Sequence, residues 1–348
     1  MTGVEQKKAA FVAVVGRPSA GKSTLINLFC GEKVSIVSPV PQTTRNAIRG
    51  IVNGERGQLV LVDTPGIHIS EKKLNRRLTE TAVRTLSGSD LVLYVLDASR
   101  APGPEEEAVA AALAALPSGP SGSGPAADSG AVTADPGIAA PWVIAAVNKM
   151  DLPGADYERA RVFLRRCLPA LPDNCCFPVS AKKNEGVKAL LAALFELAPC
   201  GPPFYPPEYY TDQEIDFRIA EVIRGEAINR LRQELPHAIY VEVADREFRG
   251  KGSGAADNVN GADGAHGAGS PAGKNRRLWV RAFIICERES QKGMIVGKGG
   301  SLVKAIGEAS RKELNRIFDW KVDLDLRVKA GRDWRHNDAL LRRILDRA

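Results

Sequence analysis

The chain has 348 residues, 44% hydrophobic and 26% charged, with 48 Lys and Arg against 41 Asp and Glu. That length fits two domains, and the composition excludes a wholly disordered, collagen-like or membrane-spanning chain. The longest apolar runs, such as Leu91–Leu96 and Trp142–Val147, are strand-sized, well short of the ~18 residues of a transmembrane helix.

The chain opens on the polar stretch MTGVEQKKAA, which lacks the apolar core of a signal peptide, so a cytoplasmic protein is expected. Strand-like runs at 11–15, 58–62, 91–97, 142–147 and 175–179 then alternate with helix-like stretches at 22–31, 71–87, 104–116, 156–168 and 185–197. Such alternation predicts an α/β domain over residues 1–198, a mostly parallel sheet with helices on both faces. Two stretches, 117–141 and 249–273, are rich in Gly and Ala and read as low-complexity insertions. Residues 199–211, PCGPPFYPPEYYT, are stiffened by proline and read as an interdomain linker. The second domain, 212–348, reads as α+β: a long helix at 212–235, strands at 238–247 and 277–286, two helices around a glycine turn, and a last strand at 320–328. Six cysteines show no metal spacing and are expected to be reduced, mostly buried thiols. With four histidines and no HExxH, neither zinc nor a catalytic Cys/His pair is expected.

Gly16-Arg17-Pro18-Ser19-Ala20-Gly21-Lys22-Ser23 matches GxxxxGK[ST], after an apolar strand and before the helix-like KSTLINLF. Glycines there let backbone N–H groups curl around phosphate oxygens, and the helix N-terminus adds positive potential. Lys22 should reach the β- and γ-phosphates, with Ser23 on Mg²⁺ and Thr24 beside it. Downstream, Asp63-Thr64-Pro65-Gly66 ends a strand; an Asp there can hold Mg²⁺ through water, and the Gly66 N–H can sense a γ-phosphate. Asn148-Lys149-Met150-Asp151 ends another strand, and the Asp151 carboxylate can accept from guanine N1–H and N2–H₂, a pattern adenine lacks. Ser180-Ala181-Lys182 can bring a backbone N–H to guanine O6. Together these segments select GTP and GDP over adenine nucleotides.

The segments GRPSAGKS, QTTR, DTPG, NKMD and SAK resemble those of the translation-factor-related GTPases, and QTTR with a single GTPase domain is similar to the Era group. The resemblance implies that Thr44 is the switch residue that closes on Mg²⁺ and the γ-phosphate. It makes Gln42–Arg45 the first switch and places the second between Asp63 and about Thr85. The catalytic set it implies is Lys22, Thr44, Asp63 and Gly66, with Ser23, Thr44 and Asp63 around the metal. Ile67 follows DTPG where Ras-like enzymes carry a water-positioning Gln, so slow intrinsic hydrolysis is expected. Relatives usually carry Asn at the position of Ser19, where it helps hold potassium; the shorter Ser implies weak potassium stimulation.

Lys274–Arg316 holds eleven basic and four acidic residues, a net of +7, which suggests a polyanion partner. Inside it lies Gly297-Lys298-Gly299-Gly300. A GxxG alone is a common helix-ending turn. Here it joins two helices after a strand pair, the arrangement of a type II KH domain, whose loop clamps nucleic-acid backbone. Gly297, Lys298, Gly299 and Gly300 are expected against RNA backbone. Ile295, Val296 and Ile306 either floor a base-binding groove or pack in the core. Lys292, Lys304 and Arg311 are candidate phosphate neighbours, Lys304 foremost. The resemblance implies binding of the 3′ end region of small-subunit (16S) rRNA, help in small-subunit assembly, a monomer, and at most peripheral contact with the inner membrane. A regulatory GTPase acting on protein or membrane partners, with the KH-like domain as scaffold, is the alternative.

Overall fold

Lys8–Val15 (β1) is buried along almost its whole length, as a strand covered on both faces must be. The computed structural model describes residues 7–40, 43–66, 82, 85–86, 88–116, 141–249, 277–331, 334 and 340–341. Gln42, Ile67, most of the expected helix at 71–87 and of the second switch, and nearly all of both insertions lie outside the described residues. With β1 run Ile48–Gly54 (β2), Gly57–Asp63 (β3), Leu91–Asp97 (β4), Trp142–Asn148 (β5) and Cys176–Pro178 (β6), in the order β2-β3-β1-β4-β5-β6. Only the β2–β3 pair is antiparallel. The helices that lie wholly within the described residues are Lys22–Cys30 (α1), Pro104–Ala114 (α2), Tyr157–Cys167 (α3) and Val187–Leu197 (α4). Leu25, Ile26, Leu190 and Leu194 of α1 and α4 bury one face of the sheet. Val109, Leu113, Phe163 and Leu164 of α2 and α3 bury the other. Because β1 lies between β3 and β4, the chain reverses its winding there, which opens a crevice at the carboxyl ends of the strands.

Strand β2 was not expected from the sequence. Its residues IRGIVNG hold buried Ile48, Ile51 and Val52, with Arg49, Gly50 and Asn53 breaking any two-residue alternation. It sits at the sheet edge, and the linker lies along its free side. The Ile51 N–H donates to the Tyr210 carbonyl (2.8 Å), the Thr211 hydroxyl to the Arg49 carbonyl (2.7 Å), and the Asn53 amide to the Pro207 and Tyr209 carbonyls (2.9 Å each).

After the linker come Ile215–Ile228 (α5), Ile239–Arg249 (β7), Arg277–Cys286 (β8), Glu289–Val296 (α6), Ser301–Ile317 (α7) and Lys321–Ala330 (β9). The sheet order is β7-β8-β9, antiparallel then parallel. Ile219, Ile223, Ile306 and Leu314 cover the inner face over Val280, Ile284 and Val322. The first helix is shorter than the expected 212–235, ending at Ile228; beyond it Gln233 takes a left-handed φ of 56° and Leu235–His237 form a short 3-10 turn. On the outer face Tyr240, Phe283 and Ile285 lie beneath Trp334 and Leu341. Several charges on that face are paired: Arg277 with Asp323 (3.6 Å), Arg281 and Arg327 with Asp325 (3.0 Å each), Arg249 with Glu247 (3.0 Å). Asp323 and Asp325 of β9, which lie beyond the basic stretch in sequence, thus pair with its Arg277 and Arg281. The cysteines are all free, but Cys200 is exposed and only Cys176 and Cys286 are fully buried.

Candidate functional site

Four of the five nucleotide segments follow strands at the carboxyl end of the large sheet: Gly16 follows β1, Asp63 closes β3, Asn148 closes β5 and Ser180 follows β6, with Asp97 closing β4 beside them, while QTTR precedes β2. Helix α1 begins at Gly21, in a left-handed conformation with no capping side chain, so its first N–H groups remain free for an anion. A Cβ at Gly21 would come 2.3 Å from the Asn148 amide nitrogen, so only glycine fits this approach. Lys22 curls back over the loop and donates to the Gly16 and Arg17 carbonyls (2.9 and 3.0 Å). Burial, opposed by Asp63, pulls its pKa down to about 8. A bound phosphate would supply the counter-charge that burial withholds.

Ser23 donates to Asp63 Oδ2 (2.7 Å), and Thr44 Oγ1 lies 3.4 Å from the same oxygen and 3.3 Å from the Ser23 hydroxyl. Among the described residues the other Asp63 oxygen, Oδ1, is buried with no hydrogen-bond partner. Burial pushes the Asp63 carboxyl up, against the pull of Lys22. An orphaned carboxylate oxygen beside two hydroxyls is the donor set a hard divalent cation takes, so these residues fit Mg²⁺.

The base side is stitched by Asn148. Its amide donates to the Ala20 carbonyl (2.9 Å) and its Oδ1 accepts the Ala181 N–H (3.0 Å), tying three loops together. Of the backbone N–H groups in the Ser180–Lys182 segment, that of Ala181 is thus engaged by Asn148 in this structure. Ser180 donates to Asp151 Oδ1 (2.7 Å) and this bond holds the Asp151 pKa below the usual carboxylate range. Asp151 remains half-exposed and ionised, ready to accept from a ligand. Thr64 donates to the Val14 carbonyl (2.8 Å) and so anchors the DTPG segment to β1, while Gly66 packs against Pro18.

In the second domain the turn between α6 and α7 presents its backbone openly. Gly297, Gly299 and Gly300 have φ of 74°, 59° and 79°, and a Cβ at Gly299 or Gly300 would meet nothing within 4 Å. Lys298 and Lys304 flank this loop and are exposed, and Val296 is half-buried. Ile295 and Ile306 are 0% exposed and belong to the core, so the expected base-binding floor does not include them. Their side chains point under the helices, where the helical period puts them.

A family model for 50S ribosome-binding GTPases matches residues 11–118, and a KH-domain model matches residues 268–335. The chain is 41% identical to the GTPase Era of Treponema denticola over 333 residues, covering 96% of this chain and 98% of that protein. It is 39% identical to that of Treponema pallidum, covering 95% of each. The chain belongs to the Era family of GTPases. Its fold matches two solved Era structures at 28% identity. One is Aquifex aeolicus Era bound to GDP·AlF4⁻, with a TM-score of 0.77 and 98% and 99% of the two chains covered. The other is Era in complex with MgGDPNP and nucleotides 1506–1542 of 16S ribosomal RNA, with a TM-score of 0.79 and the same coverage.

Motif reading of this Era-family chain missed a buried bridge. Asp97 Oδ2 accepts from Arg17 Nη2 of the phosphate loop (2.6 Å) and from Lys149 Nζ of the base loop (2.7 Å), and Oδ1 accepts from the Ser99 N–H and hydroxyl (3.0 and 2.6 Å). Arg17 also pairs with Glu106 of α2. Burial pushes the Asp97 carboxyl up, but the bonds from Lys149 and Ser99 outweigh it and hold its pKa below the ordinary value. Arg17 and Lys149 therefore serve the site through Asp97 and not only by facing a ligand. The one available signal was an Asp closing an apolar strand, LVLYVLD, as Asp63 closes LVLVD.

Proposed function

We propose that this Era-family GTPase is a GTP-driven switch that binds the 3′ end region of 16S rRNA and assists assembly of the small ribosomal subunit. The observation that supports the reading is the convergence of the phosphate, metal and base segments at one end of the large sheet, with an open, glycine-built loop of a KH domain in the same chain. The phosphate loop from Gly16 to Thr24 wraps the phosphates, and Lys22 turns from its own carbonyls to the β- and γ-oxygens. Ser23, Thr44 and Asp63 hold Mg²⁺, which, when bound, neutralises charge on those oxygens. The Gly66 N–H sits where a γ-phosphate is read. Asp151 selects guanine, and Ala181 and Lys182 border the base once Asn148 yields the Ala181 N–H. Ile67 offers the attacking water no hydrogen bond, so unassisted hydrolysis is slow. On the RNA side the Gly297–Gly300 backbone meets phosphates, with Lys298, Lys304 and Val296 beside it.

By the same reading the protein is a cytoplasmic monomer that touches the inner membrane only peripherally, through basic surface. Among the described residues no helix is long and apolar enough to cross a membrane.

The test is fluorescence anisotropy with a single-stranded RNA copied from the 16S rRNA 3′ end, in GDP and in a non-hydrolysable GTP analogue, at two salt concentrations. Tighter binding with the analogue, beyond an unrelated RNA, is expected. Replacing Gly299 and Gly300 with Asp should abolish it while GTP binding survives, since both sites are open and Asp tolerates a left-handed backbone. Equal, salt-sensitive binding to both RNAs in both nucleotide states would refute the reading.

A further inference from the structure

The KH domain holds both the segment that leads into the first switch and the switch's own Thr43 and Arg45. Gln213 Nε2 donates to the Val34 carbonyl (3.0 Å), and Lys33 pairs with Glu313 of α7 (2.9 Å). Ile36 lies on Gly225 of α5, where a Cβ would come within 3.2 Å of it. At the other end Arg45 donates to the Ile239 and His237 carbonyls (2.8 and 3.2 Å) and lies 5.6 Å over the Trp334 ring. Between these anchors Arg224 of α5 donates from Nη2 to the Thr43 carbonyl (2.5 Å). Its fork is fixed in turn by Glu221, through two bonds of 2.6 Å. The Arg224 side chain is 3% exposed, so its guanidinium is shielded from water.

We infer that Arg224 is a positioning residue of the GTP site: from the RNA-binding domain it holds Thr44 in place through the Thr43 peptide. The inference rests on the reading of Thr44 as the switch residue. Thr43 and Thr44 share one peptide unit, and Thr44 Oγ1 already lies within 3.4 Å of Asp63. A preoriented guanidinium on the preceding carbonyl removes the freedom Thr44 would otherwise lose on meeting a ligand. Only the triphosphate engages Thr44, so only triphosphate affinity depends on Arg224. By linkage, a bound triphosphate strengthens the seat of the KH domain by the same factor.

The experiment measures dissociation constants for GDP and for a non-hydrolysable GTP analogue, with Mg²⁺, on the full chain and its R224A, R224K, E221Q and T44A variants. Arg224→Ala should weaken the analogue about tenfold, the worth of one charge-assisted hydrogen bond, and leave GDP within about twofold. Arg224→Lys, which keeps one donor, should fall between. Loss of both affinities alike, or of neither, would make Arg224 a plain interdomain contact and overturn the inference. If T44A loses the analogue preference and R224A keeps it, the inference fails alone. If T44A keeps it, the reading of Thr44 fails and takes the inference with it. Should R224A not fold, Glu221→Gln, which loosens the fork and leaves Arg224 in place, must move the same ratio or the inference falls.

Discussion

Asp97→Asn isolates the bridge between the phosphate loop and the base loop. The substitution keeps size and leaves an oxygen for Ser99, but it turns an amide donor toward Arg17 Nη2 and Lys149 Nζ. Two bonds to charged groups are lost, each worth about 1.5–3 kcal/mol in a buried setting. Arg17 retains Glu106, which puts its share at the low end. Lys149 is 24% exposed and recovers water, so its share is about 1 kcal/mol. The sum is about 2–3 kcal/mol, which for a domain of this size is about 5–10 °C in melting temperature. GDP affinity should fall about tenfold as well, because the Asn148–Asp151 loop must then be ordered by the ligand. The pH dependence has a definite sign. Asp97 has a folded pKa below its unfolded one, so its charge stabilises the fold above the ordinary carboxylate range, and that contribution is lost as pH falls through the depressed value. The gap between wild type and Asp97→Asn should therefore close in acid. Thermal unfolding at neutral and acid pH, with fluorescent GDP titration, reads all three effects. A variant that melts within about 1 °C of wild type at neutral pH would show that the bridge carries no energy.

Asp151→Asn should lower GDP affinity by at least a hundredfold, since two guanine donors would face an amide donor, and should favour xanthosine diphosphate, which has an oxygen there; competition titrations in which GDP still wins would contradict the base assignment. Ser19 adopts a left-handed φ of 60°, a conformation Asn accepts readily, so Ser19→Asn should fold normally and gain several-fold stimulation of hydrolysis when potassium replaces sodium. A several-fold potassium effect in the wild type would refute the role given to the shorter side chain. On the RNA side, Lys298→Ala and Lys304→Ala should each reduce the slope of log affinity against log salt by about 1, whereas Arg327→Ala, paired with Asp325, should barely move it. A slope change at Arg327 matching that at Lys298 would place RNA on the outer sheet face instead.

Much of this was legible in the sequence because phosphate and base chemistry demand fixed residues at strand ends, and the strands between them are continuous apolar runs. Strand β2 was not legible, since half its residues are polar or glycine and its order comes from β3 on one side and the linker on the other. Asp97 escaped for a related reason: its partners Arg17 and Lys149 are 80 and 52 residues away, and no local pattern announces that they converge. The same distance hid Asp323 and Asp325, which neutralise arginines on the neighbouring strand. For Ile295, just before the GxxG turn, the sequence left groove floor and core both open, and its helical phase sends it into the core.

The linker also guards the GTPase domain against itself. A sheet edge offers unpaired N–H and C=O groups on which a second chain can add a strand, and β2 is such an edge. Residues 207–211 occupy it instead, and Pro206 and Pro207 supply no N–H with which to extend the ladder outward. Residue 198 is thus a hazardous place to end the domain: cutting there would leave β2 uncovered, and self-association through strand addition would follow. The segment that connects the two domains is also what keeps one molecule from templating the next.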